Sequence, residues 1–246
     1  MCTLVILWRP GQTWPLLLAG NRDEMRHRPA APPARHWPDQ PGVVAGLDRL
    51  AGGSWMGVND QELAAVVMNR IGTLGPESGK RSRGELVLEA LQHDSVAGAV
   101  RALAAKDPDS YRPFNLVIGN REDCCWLKND GGQHIELIRI PPGLHMLSSG
   151  ELNDLDRPRL RVFLPRFRAA PTPEPPEDWR AWQQLLADRD YLPEDGPHAA
   201  INLDRPDGFG TCSSSCIALA AEAERPPLWL FADGPPDLVP FQRLDF

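Results

Sequence analysis

The chain opens on an almost unbroken apolar run over residues 2–8, then Gly11-Gln12, then a second apolar run over 14–19. A run that does not alternate suits a strand buried on both faces, and the glycine suits a hairpin tip, so two antiparallel strands are predicted. Gly20 should end the second strand, leaving Asn21-Arg22-Asp23-Glu24 as a solvent-exposed loop beside the chain start. Five prolines across 29–41 predict a loop that covers surface. Residues 52–58 read as a glycine-kinked strand, Asn59-Asp60 as a turn and 63–69 as the returning strand. Ser82 is placed to cap a helix over 84–93, and Ser95 a second one reaching 106 on an Ala and Val face.

Strands are next predicted at 114–118, 123–127, 134–140 and 143–148. Pro171, Pro173, Pro175 and Pro176 imitate an interdomain linker. The segment behind them offers only a helix over 179–186, capped by Asp178, and strands at 213–220 and 228–231. That is too little for a separate core, so about 165–177 is read as a surface loop and 1–246 as a single domain. Helices outside two packed sheets make the class α+β.

Charge narrows the function. Against 26 basic residues stand 33 acidic ones, a net charge of -7, which argues against nucleic acid as a partner. The one dense basic cluster, Lys80-Arg81-Ser82-Arg83, reads as a solvated turn before a helix, with an anion site as the alternative. No stretch approaches the ~20 apolar residues of a membrane span. The apolar start is too short for a secretory signal because Arg9 and Pro10 follow at once, so a cytoplasmic protein is expected. Five cysteines in no metal-binding spacing predict reduced thiols, with neither metal nor cofactor. Cys212 and Cys216, four apart on one strand, should share a face yet lie too far apart to bond.

Cys2 carries the candidate chemistry. Removal of Met1 would free an α-amino group titrating near ~8 beside a thiol near ~8.5, placing base and nucleophile on one residue. The competing reading is a small buried hydrophobe. Met1-Cys2-Thr3-Leu4, Gly20-Asn21-Arg22-Asp23-Glu24 with Arg28-Pro29, Gly52-Gly53-Ser54-Trp55-Met56-Gly57-Val58-Asn59, Met68-Asn69-Arg70 and Ser82-Arg83-Gly84-Glu85-Leu86 occur in that order. Fainter matches lie at Phe114-Asn115-Leu116, Leu147-Ser148-Ser149-Gly150 and Gly210-Thr211-Cys212-Ser213-Ser214. Through these segments the chain resembles the NRDE family, also called the transport and Golgi organisation protein 2 family.

That family resembles N-terminal nucleophile hydrolases of the cholylglycine hydrolase and penicillin V acylase type, which implies a four-layer αββα sandwich. The resemblance implies Cys2 as nucleophile, Asp23 as the acid that orients its amine, Asn69 as oxyanion donor and Arg22 as supporting cation. Asn21, Trp55, Ser149 and Cys212 would line the substrate site. Three positions depart from the relatives: Gly20 and Cys212 stand where arginines are usual, and Ser149 where asparagine is. Arg22 and Asp23 point to opposite strand faces, so both reach Cys2 only if the strand ends or bulges there. The resemblance implies hydrolysis of a small-molecule amide or thioester through an acyl-enzyme. Its alternative is a non-catalytic carrier of haem, lipid or acyl-coenzyme A, since eukaryotic members are associated with haem and lipid handling. For haem, the six histidines His27, His36, His93, His134, His145 and His198 show no pairing that suggests an axial ligand.

Overall fold

The computed structural model describes residues 2–223 and 225–246. Strand β1 is Thr3–Trp8 and β2 is Leu16–Met25, paired antiparallel from Thr3 opposite Asn21 to Trp8 opposite Leu16. The unbroken apolar run of β1 is explained by burial on both faces. Leu4, Ile6 and Trp8 face a core between two sheets, whereas Val5 and Leu7 face helices on the outside.

The second sheet has the same logic. It is built from β3 (Ala30–Ala34), β4 (Val43–Asp48), β5 (Met56–Asn59), β6 (Ala64–Asn69), β7 (Phe114–Gly119), β8 (Cys124–Asn129) and β9 (Glu136–Arg139), in that spatial order. Val66 and Met68 point between the sheets, and Ala65 and Val67 outward. The first sheet is completed by β10 (Gly143–Leu147), β11 (Phe209–Leu219), β12 (Leu228–Ala232) and β13 (Gln242–Arg243), ordered β10-β1-β2-β11-β12-β13. Helices α1 (Gly84–Ala90) and α2 (Val96–Ala104) cover the second sheet. Helices α3 (Pro158–Ala169) and α4 (Arg180–Leu186) cover the first. Three apolar clusters between four layers make the αββα sandwich.

Several boundaries move. Gly20 does not end β2, which runs on to Met25 with Asn21, Arg22 and Asp23 buried, so the predicted polar loop is strand. A buried polar strand is stable only if each polar group finds a partner, and those partners come from distant segments described below. Strands β3 and β4 occupy and follow the proline-rich stretch read as loop. Helix α3 also escaped prediction. Its Leu160, Phe163, Leu164 and Phe167 form a buried stripe at helical spacing, and Pro165 sits inside it, so the proline-rich loop starts only after the helix. Ser95 caps α2 by accepting from the Gly98 N–H at 3.2 Å. At α1 the capping position belongs to Arg83, while the Ser82 hydroxyl accepts from the Gly84 N–H at 3.2 Å.

Candidate active site

Cys2 lies just before β1, where the register sets it beside Arg22 and Asp23 of β2. Its thiol donates to the Asp23 carbonyl at 3.6 Å, and its own carbonyl accepts from the Ser148 hydroxyl at 2.8 Å. Residues alternate across a strand, so Asp23 joins the outward-facing set of β2 and Arg22 the set facing between the sheets. Each side of Cys2 therefore has its own network.

The outward network centres on a buried carboxylate. Asp23 Oδ1 accepts from the Thr211 hydroxyl at 2.8 Å, and Oδ2 from Arg159 Nη1 at 2.9 Å. The same Arg159 nitrogen donates to the Thr3 hydroxyl at 2.8 Å, and Nη2 donates to the His198 carbonyl at 3.2 Å. Arg159 thus ties the residue after Cys2 to the acid on the next strand. Both ions are buried. Sequence reasoning missed Arg159, Thr211 and Ser148. Arg159 sits next to the apolar stripe of α3, and recognising that helix is the signal that would have turned it inward.

A bulge makes the two-sided arrangement possible, but it lies in β11, not in β2. Thr211 pairs with Asp23 and Ser213 with Arg22, leaving Cys212 as the extra residue between them. Thr211 consequently faces outward to the acid, while Ser213 faces inward beside Arg22. Cys212 instead donates its thiol to the Glu24 and Gly210 carbonyls, each at 3.4 Å. It lies across β2 from Cys2, two strand spacings away, or roughly 9–10 Å. That is beyond disulfide reach.

The inward side opens into a cleft of about 330 Å³, lined by Cys2, Arg22, Asp23, Trp55, Asn69 and Arg83 among others. This is the low end of the range for small-molecule sites. The Arg22 guanidinium stacks over the Trp55 ring, 4.3 Å from its centroid. Gly46 makes room for that ring, because a Cβ there would meet Trp55 Cζ2 at 2.3 Å. Asn69 reaches the cleft from the end of β6, with its amide donating to the Arg70 carbonyl at 3.2 Å.

The remaining predicted residues go elsewhere. Asn21 spends its side chain on the outer layer, donating to the Leu186 and Ile201 carbonyls at 2.9 and 3.0 Å and accepting from Ser214. Ser149 is buried and stands outside the cleft lining; its neighbour Ser148 is the residue bonded to Cys2.

Gly20 stands where the resemblance implies an arginine. A Cβ at this position would meet the Thr3 carbonyl oxygen at 2.5 Å, so an arginine cannot stand there without moving β1. Arg22 lies two residues further along the same face. Gly20→Ala is expected to destabilise the fold by ~1–3 kcal/mol through overpacking against backbone, as read from the urea unfolding midpoint.

Burial pushes the Cys2 thiol above its ordinary range, and the Asp23 charge adds to this; the hydrogen bond to the Asp23 carbonyl and the Arg22 charge pull it back. The thiolate is the reactive form. Alkylation of Cys2 by iodoacetamide should therefore be slow at neutral pH and rise through alkaline pH. Arg22→Gln should move that rise to still higher pH, since it removes a cation that favours the thiolate.

A profile of the family described as Transport and Golgi organisation 2 matches residues 1–223. The chain belongs to that family. It is 31% identical over 147 residues to the Transport and Golgi organization protein 2 homolog of Bos taurus, covering 56% of this chain and 51% of the relative. The Mus musculus homologue is 29% identical over 145 residues, with the same coverage. The chain thus spans about half the length of these curated relatives. Among solved structures, it superposes on the Caenorhabditis elegans N-acylethanolamine-hydrolyzing acid amidase orthologue with a TM-score of 0.62 at 11% identity, covering 92% of this chain and 94% of that one. A mutant conjugated bile acid hydrolase from Clostridium perfringens gives 0.55 at 10% identity, covering 100% and 97%. At such identities the likeness establishes the fold, that of the N-terminal nucleophile hydrolases. Among the described residues, no helix is long and apolar enough to cross a membrane.

Proposed function

We propose that this family member is an N-terminal cysteine hydrolase that cleaves an amide or thioester bond of a small molecule in the cytoplasm. One observation carries the reading: Cys2, Arg22 and Asp23 converge at the head of β1, at the end of a cleft of ligand size. Removal of Met1 exposes the Cys2 amine. Asp23, fixed by Arg159 and Thr211, orients that amine, which takes the thiol proton while Arg22 supports the thiolate. Sulfur then bonds to the carbonyl carbon, and the carbonyl oxygen gains the negative charge. Asn69, turned from the Arg70 carbonyl, donates to that oxygen. Collapse breaks the bond to the leaving amine or thiol, which departs with the proton held by the Cys2 amine. Water then hydrolyses the acyl-enzyme, and the thiol is restored. The chain that remains after Met1 is removed acts as one unit in this scheme.

Intact mass is the test. Protein purified from cells should lack Met1, and brief exposure to a panel of amides and thioesters should add one acyl group to Cys2. Full retention of Met1 would end the proposal.

A second reading, a carrier of haem, lipid or acyl-coenzyme A, draws support from the burial that raises the Cys2 thiol and from the commitment of Asn69 to Arg70. Tight ligand binding with no product released would favour it.

A further inference from the structure

We propose that the Cys2 cleft contains an anion subsite, formed by Arg83 together with Arg22, that seats a carboxylate or phosphate group of the bound small molecule. This deepens the hydrolase reading and rests on it.

Six cationic side chains line the cleft in a chain whose net charge is -7. Four of them are committed. Arg28 pairs with Asp48 at 2.7 Å, Arg81 with Glu85 at 2.6 Å and Arg112 with Glu77 at 3.3 Å, while Lys80 donates to the Asp109 carbonyl at 2.5 Å. Like Lys80, Arg83 and Arg22 have no carboxylate partner among the described residues. Arg83 donates through Nη1 alone, to the Thr73 carbonyl at 2.9 Å, the Thr73 hydroxyl at 3.1 Å and the Pro113 carbonyl at 3.0 Å. Those bonds fix the guanidinium at the cleft lining, and its Nε and Nη2 have no partner among the described residues.

Arg22 is only 8% exposed, its guanidinium stacked on the Trp55 ring and its charge felt by the Cys2 and Cys212 thiols. A guanidinium buried to this degree ordinarily has a carboxylate or carbonyl to meet its five donors. Here an aromatic face supports it from one side while the other looks into the cleft beside the thiol. Burial, and after it the neighbouring Arg112 charge, bring Arg83 down to about 10, against the opposing pull of Cys2 and Glu24. Planar, always-available donors on two sides of a small cleft suit an oxyanion, which guanidinium binds through paired hydrogen bonds. The basic cluster Lys80-Arg81-Ser82-Arg83 thus lines the cleft as a whole, with Arg81 paired to Glu85 and Lys80 bonded to the Asp109 carbonyl.

The test is alkylation of Cys2 by iodoacetate and by iodoacetamide, near-isosteric reagents that differ in charge. In both, the thiolate sulfur bonds to the methylene carbon and iodide departs, so no turnover is required. Peptide mass separates Cys2 from Cys212. With charge-assisted bonds to the reagent, the iodoacetate-to-iodoacetamide rate ratio should exceed that of N-acetylcysteine by about tenfold or more. The ratio cancels any change in thiol acidity. Arg83→Gln should bring it to the N-acetylcysteine value, and Arg83→Lys should restore part of it. Benzoate or phenyl phosphate should protect the wild type against iodoacetate, the better protector telling carboxylate from phosphate. A wild-type ratio equal to that of N-acetylcysteine, a ratio unmoved in a folded Arg83→Gln, or protection by neither anion overturns the subsite. A raised ratio in a protein that hydrolyses nothing leaves the subsite standing and removes the hydrolase.

Discussion

Arg159→Met is expected to cost roughly 3–5 kcal/mol of stability, the largest loss of any single side chain at the site. The Arg159–Asp23 pair is 2.9 Å long with both side chains buried. Taking away one partner of such a pair leaves a desolvated charge without its counter-ion. Asp23→Leu should cost a similar amount for the converse reason. The double variant should be less damaged than the sum of the singles, because buried ion pairs are often replaced by apolar pairs at little net cost. Urea unfolding of the four proteins measures the coupling. Additive losses would mean that the pair does not act as a unit. An intact pair also sets Thr3, through its hydroxyl, and hence the start of β1. In the proposed hydrolase Arg159 would be a positioning residue for Cys2, acting through Asp23 and Thr3.

Cys2→Ala should separate chemistry from folding in the opposite way. The thiol is half-buried at the head of a strand, and its hydrogen bond to the Asp23 carbonyl is long, so stability should change by no more than about 1 kcal/mol. Turnover should fall by roughly 10⁴–10⁶, the scale on which a covalent enzyme loses its nucleophile. Steady-state rates with the substrate found by acyl trapping, set beside urea unfolding, give both numbers. A Cys2→Ala protein with unchanged turnover would dismiss the acyl-enzyme, whatever its fold.

How much could be read from residues alone depended on how far away their partners were. Strands β1, β7 and β8 were legible because burial on both faces leaves an apolar run in consecutive residues. The pair Ser95 and α2 was legible for a similar reason, since cap and helix adjoin. Asn21 to Glu24 was misread because four polar residues in a row look solvated. Asn21 and Asp23 are buried on partners far away in the chain: Asn21 on the Leu186 and Ile201 carbonyls, and Asp23 on Arg159 and Thr211, 136 and 188 residues away. No local pattern contains that information. Helix α3 is a different failure: its apolar stripe is local, and Pro165 together with the prolines that follow obscured it. At the site, Cys2, Arg22, Asp23, Trp55 and Asn69 do meet at one cleft, whereas Asn21, Ser149 and Cys212 are turned away by strand alternation, by a one-residue shift to Ser148 and by the bulge.

That bulge has a consequence for how the site can change over time. Thr211 and Ser213 are committed to opposite faces, one to the acid and the other to the cleft lining, so altering either disturbs a network. The residue between them pairs with nothing in the ladder. Position 212 is thus a free slot in an otherwise constrained strand, where a lineage can try a thiol, a cation or a hydroxyl without shifting the register that holds Asp23 and Arg22 in place.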